Sequence, residues 1–331
     1  MRIGIDARFF GAKDKGIGRY TENLIRNLEE INIKNQYFIF LKKERWEDYQ
    51  PANQNFRKIL VGRSLFWFLK LKKYKLDLIH FTHYKVPPCK VKFILTVHDL
   101  IWQKFPIFSF IKRLIYKIFF NLAIKKSEKI IAVSNYVKED ILKKYKINPQ
   151  EIVVIYEGVS PARSAKRSFG GRGKKPYILY VGNDYPHKNL KRLKLAFEKL
   201  VKEHNLDYQL ILVTKFVSEE ELDKLYRNAA IFVFPSLSEG FGLPPLEAMA
   251  RGVPVVSSNA TCLPEVLGIG AIYFNPVDID NIVEKIKKVL YNKDLRNELI
   301  NRGYAQIKKY SWREMARQTL EIYDSILRFE R

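Results

Sequence analysis

Two glutamates stand eight positions apart in "SEGFGLPPLEAMARGVPVV", Ser238 to Val256. Between Glu239 and Glu247, Gly240 and Gly242 bracket Phe241, and Leu243-Pro244-Pro245 lead into an apolar run. Pro245 suits the first turn of a helix, where its missing N–H costs nothing. Glu247 is then expected in that first turn, where the helix dipole favours a carboxylate. It is either a dipole partner or a group facing a pocket, and Glu239 on the preceding loop is placed to share that pocket. Two further loops carry groups able to meet an anion. In "FFGAKDKGIGRY", Gly16 and Gly18 lie just before a helix, where small residues let backbone N–H groups approach a ligand. The spacing lacks the third glycine of the dinucleotide fingerprint, so a plain βα loop fits as well. In "GNDYPHKNL", Gly182 and Asn183 open a turn and Lys188 stands at its mouth. That lysine is either a compact charge for a phosphate or a solvated surface group. A fourth candidate is His98 in "TVHDL", at a strand end beside Asp99. It is either a packed ring or a site residue.

The elements that must position these groups alternate. Short Val/Ile-rich runs without period-2 alternation read as strands buried on both faces. They are "RIGID", "YFIFL", "LDLIHF", "KFILTVHD", "KIIAVS" and "IVVIYEG" in the first half, then "YILYVGN", "YQLILVT", "AIFVFPS", "GVPVVSS" and "AIYFNP" in the second. Amphipathic helices separate most of them, opened by cap residues such as Ser134 and Ser218. Alternating β and α predicts α/β domains with parallel sheets. Residues 161–175, rich in Gly, Ser, Lys and Arg, read as a linker. The expected organisation is a Rossmann-like domain over 1–160 and a second over 176–312. A last helix over 313–331 is expected to pack back on the first domain. In such open sheets ligands sit beyond the carboxyl ends of the strands, and the three loops and His98 all fall at such ends.

The chain of 331 residues carries a net charge of +24, with 59 Lys and Arg against 35 Asp and Glu. That imbalance implies an anionic partner: nucleic acid, anionic lipid or a phosphorylated substrate. Two cysteines far apart make neither a disulfide framework nor a metal cluster and fit a reducing compartment. The N-terminus lacks the apolar stretch of a signal peptide, and no window is long and apolar enough to span a bilayer. A cytoplasmic protein, peripheral at most, is expected. One stripe, Ile107, Ile111, Leu114, Ile115, Ile118, Phe119 and Leu122, runs at helical spacing with Lys112, Arg113 and Lys117 off it. Most of it is expected to pack on the first sheet; the alternative is a basic amphipathic helix facing an anionic bilayer. The segment "SLFWFLKLKKYK" at 64–75 is similar.

Together the motifs resemble the retaining glycosyltransferases of family 4, the group 1 transferases with the GT-B fold. "EGFGLPPLEAMARGVPVV" is similar to that family's E-x7-E motif. "DAR…GIGRY", "TVHDL", "IIAVSNYVKEDI" and "YILYVGN…KNL" match further segments in order, so the resemblance covers nearly the whole chain. It implies two Rossmann-like domains facing across a cleft, the first for the acceptor and the second for a nucleotide sugar. By resemblance, Glu247 holds the ribose hydroxyls and Glu239 lies beside the donor sugar. Backbone N–H groups around Phe241, Gly242 and Leu243 contact sugar and diphosphate. Lys188 neutralises the leaving group, His98 touches the donor sugar, and Gly16 and Gly18 close over the phosphates or shape the acceptor side. Asn183 stands where many relatives have an arginine. The "DAR…GIGRY" and "GNDYPHKN" variants resemble mannosyltransferase-like members, which implies GDP-mannose as donor and a saccharide or lipid-linked acceptor in cell-surface polysaccharide biosynthesis. No cofactor is expected, and no metal: "DID" at 278–280 reads as a helix cap rather than a metal motif. Between "LILVTK" and "FVSEEELDKLY" the chain lacks about one αβ unit that relatives carry near the nucleobase, so the second domain is expected to be shortened. The competing reading is a weak or inactive transferase scaffold that binds nucleic acid or anionic membrane. Two carboxylates lining a groove repel a phosphate backbone, which disfavours nucleic acid.

Overall fold

The computed structural model describes residues 1–62, 67–106, 109–160 and 175–328. The linker expectation, apart from Lys175, and Ile107 lie outside them. The chain divides into two compact units. Unit 1 comprises Met1–Gly158 with Trp312–Arg331, and unit 2 comprises Val159–Ser311.

Unit 1 is built on a seven-stranded parallel sheet. Its strands are β1 (Arg2–Asp6), β2 (Gln36–Lys42), β3 (Phe56–Val61), β4 (Leu78–Phe81), β5 (Phe93–Val97), β6 (Lys129–Ala132) and β7 (Ile152–Val154). They lie in the order β3-β2-β1-β4-β5-β6-β7. The order reverses between β1 and β4, so this is where a sheet of this kind opens a crevice. β4 and β5 are buried along their whole length, as their unbroken apolar runs require. β3 is not among the strands expected from sequence. It is an edge strand in which Arg57 is exposed and Lys58 half-buried, so its apolar signal is diluted.

The helices of unit 1 are α1 (Lys15–Ile31), α2 (Ile101–Lys104), α3 (Phe110–Lys126) and α4 (Asn135–Lys144). The Ser134 hydroxyl caps α4 by accepting from the Val137 N–H at 3.2 Å. Within the 64–75 segment, Trp67–Tyr74 form a 3-10 helix with Leu71 buried. The expected packing of the α3 stripe is overturned. Phe120, Ala123 and Ile124 are the buried residues, whereas Ile111, Leu114, Ile115, Ile118, Phe119 and Leu122 are exposed. The wheel has two apolar sides, and the sheet takes the other one.

Unit 2 has a five-stranded parallel sheet of β8 (Tyr177–Val181), β9 (Gln209–Val213), β10 (Ile231–Phe234), β11 (Val255–Ser258) and β12 (Ala271–Phe274). The order is β12-β11-β10-β8-β9, reversing between β8 and β10. Its helices are α5 (Leu190–His204), α6 (Glu219–Asn228), α7 (Leu243–Ala250), α8 (Leu263–Leu267), α9 (Ile279–Tyr291) and α10 (Lys293–Ile307). Residues 214–218 alone join β9 to α6. Ser218 caps α6 by accepting from the Glu221 N–H, and Asp278 caps α9 by accepting from the Asn281 N–H. The chain then returns to unit 1 as α11 (Trp312–Arg328), which packs on α1. Buried Tyr323 of α11 bonds through its hydroxyl to His80 Nδ1 of β4 at 2.7 Å.

Candidate active site

Unit 2 places its candidate residues on the two loops flanking the strand-order reversal. After β8, the Tyr180 ring folds back so that its hydroxyl donates to the Asn183 carbonyl at 2.8 Å. A Cβ on Gly182 would lie 2.4 Å from that hydroxyl, so this glycine makes room for the tyrosine. The Asn183 side chain accepts from the Tyr185 N–H at 3.2 Å and thereby shapes the turn. A short 3-10 turn, Pro186–Lys188, then ends at Asn189, whose φ of 59° is left-handed. The Asn189 amide donates to the Pro235 carbonyl at 3.0 Å and the Pro276 carbonyl at 2.7 Å. The Leu237 N–H donates to the His187 carbonyl at 2.7 Å. These bonds tie the loop after β8 to the loop after β10. Sequence reasoning missed Asn189; an asparagine directly before a helix in the "KNL" run was the available signal.

The tie brings Lys188 and Glu239 together. The Lys188 ammonium lies 2.5 Å from Glu239 Oε1 and 5.6 Å from the centroid of the Phe234 ring. Both side chains are largely withdrawn from solvent, about one-tenth exposed. The Glu239 N–H donates to the Thr261 hydroxyl at 3.0 Å, which fixes the backbone under the carboxylate. Burial and the neighbouring Lys188 hold His187 down at about 4, so it is neutral near pH 7.

The loop then enters α7. Gly242 precedes the helix with φ +100°, a conformation that side chains rarely adopt. It offers no side chain to cap the helix, so the positive end of α7 opens at Leu243. Buried Cys262 lies with its sulfur 3.4 Å from the Phe241 carbonyl, and the Phe241 ring meets Tyr310 edge-on at 5.4 Å. Both contacts pin the loop from behind. The expectation for Glu247 is corrected here. Because α7 begins at Leu243, Glu247 lies past the first turn, which holds no acidic residue. A dipole role therefore does not account for it. Glu247 is instead buried, and its Oε2 accepts from the Tyr226 hydroxyl of α6 at 3.0 Å. Arg251 fastens α7 to α6, donating to Asp223 and to the Glu247 carbonyl. Tyr226 was not singled out from sequence, because a tyrosine on an amphipathic helix reads as core.

Unit 1 gathers a different set at its own reversal. Asp6 at the end of β1 is fully buried and bound in two-pronged fashion by Arg8, with His83 Nε2 at 3.2 Å. Burial alone would raise its carboxyl, but Arg8 and His83 hold it well below the usual carboxylate range. Burial pushes His83 down to about 4 despite Asp6, and His80 to about 3. Next along, His98 Nδ1 lies 2.9 Å from Glu157 and Nε2 lies 3.0 Å from the Thr82 carbonyl. Glu157 is buried, so His98 is held at both nitrogens by unit 1 itself. Sequence reasoning missed Asp6, His83 and Glu157. Gly16 and Gly18 lie inside α1 rather than before it, since the helix starts at Lys15. A Cβ on Gly18 would lie 2.2 Å from the Gly11 carbonyl oxygen, whereas one on Gly16 meets nothing within 4 Å. Gly18 is required by packing, and only Gly16 leaves open space.

Two family models match the chain: Glycosyltransferase Family 4 over residues 15–163 and Glycosyl transferases group 1 over residues 209–306. The O-antigen chain mannosyltransferase B of Escherichia coli is 30% identical over 311 residues, covering 83% of this chain and 80% of that protein. Among solved structures, WaaG, a glycosyltransferase involved in lipopolysaccharide biosynthesis, matches with a TM-score of 0.75 at 15% identity over 97% of this chain and 99% of that one. Anabaena HepE in complex with UDP and glucose matches with a TM-score of 0.72 at 15% identity over 98% and 100%. The strand-end loops, the two parallel sheets and the mannosyltransferase relative agree, and the chain belongs to the family 4, group 1 glycosyltransferases of GT-B fold as a mannosyltransferase-like hexosyltransferase.

Proposed function

We propose that this protein moves mannose from GDP-mannose, with retention of anomeric configuration, to a saccharide on a lipid carrier in cell-surface polysaccharide assembly. The observation that carries the reading is the Lys188–Glu239 pair at the strand-order reversal of unit 2, beside the uncapped start of α7. Breaking an anomeric C–O bond builds positive charge on the sugar and negative charge on the departing diphosphate. Fixed positive groups aimed at that diphosphate act most strongly in the transition state. Lys188 supplies one such charge by exchanging Glu239 for phosphate oxygens. The N–H groups of Gly242 and Leu243 at the α7 terminus supply partial charge, so the transfer needs no metal.

Glu239, once released, accepts from sugar hydroxyls. Glu247 accepts from the ribose hydroxyls; a carboxylate has about four lone-pair sites, enough for both hydroxyls beside Tyr226. His98 is assigned to the donor sugar, which requires Nε2 to exchange the Thr82 carbonyl for a hydroxyl. Gly16 is assigned to close backbone approach of a phosphate or acceptor. The mannosyltransferase relative and the family's sugar-nucleotide chemistry support this donor class, and the net charge of +24 supports an anionic membrane surface at the inner face of the cell membrane as partner.

A panel of nucleotide sugars, read by nucleoside diphosphate release, with Glu247→Ala alongside, tests the reading. Turnover is expected with GDP-mannose and its loss in the variant. Absence of turnover with every donor, together with absence of nucleotide binding, would sink it; turnover with another donor would replace the sugar but keep the site.

A further inference from the structure

α3 has two faces with opposite surroundings. On one, Phe120 is fully buried, with Trp102 and Tyr145 edge-on at 5.7 Å each, and Ala123 and Ile124 lie beside it. Residues advance by about 100° around a helix, which sets Ile111, Leu114, Ile115, Ile118, Phe119 and Leu122 on one continuous arc on the opposite side. All six are exposed, from 41% for Phe119 to 70% for Ile111. Exposed apolar residues scattered singly are ordinary, but a contiguous row marks a binding surface. Among the described residues no other helix carries more than two exposed large apolar side chains.

The charges around the arc decide what covers it. Lys112 and Lys117 border it on its two sides, and Lys125 and Lys126 stand in the last turn. All four are exposed, and α3 contains no acidic residue. A second copy of the same face would set lysines against lysines. A bilayer with anionic headgroups accepts both parts: acyl chains meet the apolar arc, and long lysine stems reach outward to phosphates. No helix among the described residues is long and apolar enough to cross a membrane, so α3 would lie in the interface rather than span it.

We propose that α3 docks unit 1 on an anionic bilayer by inserting this arc. The inference rests on the membrane partner proposed above and deepens it, because it states which surface presents the enzyme to a lipid-borne acceptor. It is tested with the full chain and phosphatidylcholine vesicles, with and without phosphatidylglycerol, at moderate salt. The wild type is expected to bind the anionic vesicles at least about tenfold more tightly than the neutral ones. The triple variant Ile115→Ser, Ile118→Ser, Leu122→Ser is expected to lose about tenfold or more of that affinity. Lys112→Glu with Lys117→Glu is expected to lose the preference for anionic lipid. Negligible or equal binding to both vesicles, or a triple variant that binds like the wild type, overturns the proposal. A dimer in sedimentation velocity that the triple variant dissolves also overturns it, by assigning the face to a second copy. Nucleotide binding without vesicles stays unchanged in these variants. A failed docking result and a failed donor reading are therefore separate outcomes, and an unfolded variant is recognised.

Discussion

The two units solve one topological problem in two ways. Each sheet reverses strand order once, and each reversal gathers charged side chains at the strand ends. In unit 1 the charges are closed on themselves. Asp6 has Arg8 and His83, and His98 has Glu157 and the Thr82 carbonyl. In unit 2, Lys188 and Glu239 meet in a single contact beside the start of α7. A closed network holds backbone in place, whereas a single charge pair beside a helix terminus can be exchanged for a charged ligand. The same fold position is thus closed by its own side chains in unit 1 and holds a single charge pair in unit 2.

The sharpest way to break this division is to remove one cation from each reversal. Lys188→Ala is expected to lower kcat by about 10²–10³-fold, as loss of one transition-state donor does. Arg8→Ala is expected instead to destabilise unit 1 by about 3 kcal/mol, because Asp6 keeps a buried charge without its main partner. Denaturant midpoints and steady-state rates separate the two. Wild-type stability in Arg8→Ala with a selective loss of rate would end the contrast.

Acidification is the next largest probe. His80 and His83 are held at about 3 and about 4, below the 6.5 of an unfolded histidine. Between pH 6.5 and 4 the unfolded chain therefore binds more protons, and stability falls as pH falls. At pH 5 each costs on the order of 2 kcal/mol. Unit 2 has one such histidine, His187, so unit 1 should weaken first. All four tryptophans lie in unit 1, and their fluorescence follows it alone, while nucleotide binding, proposed above for Lys188 and Glu247, is the readout for unit 2. Loss of binding before the fluorescence change would reverse the expected order.

Smaller effects sharpen the picture of unit 2. Glu239→Gln removes the anion that competes for Lys188, so nucleoside diphosphate should bind a few-fold tighter while transfer slows. Calorimetry with the diphosphate checks this, and weaker binding would show that Glu239 assists rather than competes. Tyr226→Phe removes one hydrogen bond to Glu247 and should weaken nucleotide binding by about two- to tenfold at nearly constant kcat. A fall in kcat alone would mean that Tyr226 acts elsewhere.

How far these features were legible in the sequence depends on their range. Parallel sheets, caps at Ser134, Ser218 and Asp278, and the direct passage from β9 to α6 are written in local patterns and read directly. β3 was hidden because an edge strand mixes Arg57 and Lys58 into its apolar run. The start of α7 was misplaced because Leu243 precedes two prolines, which mark the first helical turn without fixing its first residue. The α3 stripe was assigned to the core because periodicity identifies an apolar face without saying what it meets. Asn189, Tyr226 and Glu157 act through partners 46, 21 and 59 positions away, and no local pattern carries such pairings.

Gly158 and Trp312 touch so closely that a Cβ on the glycine would lie 2.2 Å from the Trp312 backbone nitrogen. The Val159 N–H in turn donates to the Tyr310 carbonyl at 3.4 Å. Unit 2 therefore leaves the chain and rejoins it at one spot, as an insertion with its ends tied together. During synthesis the ribosome completes unit 2 before it makes α11, the helix that brings Tyr323 to His80. Unit 1 therefore cannot be completed until α11 is made, and a nascent chain stopped at Ser311 carries every residue of unit 2 but an incomplete unit 1.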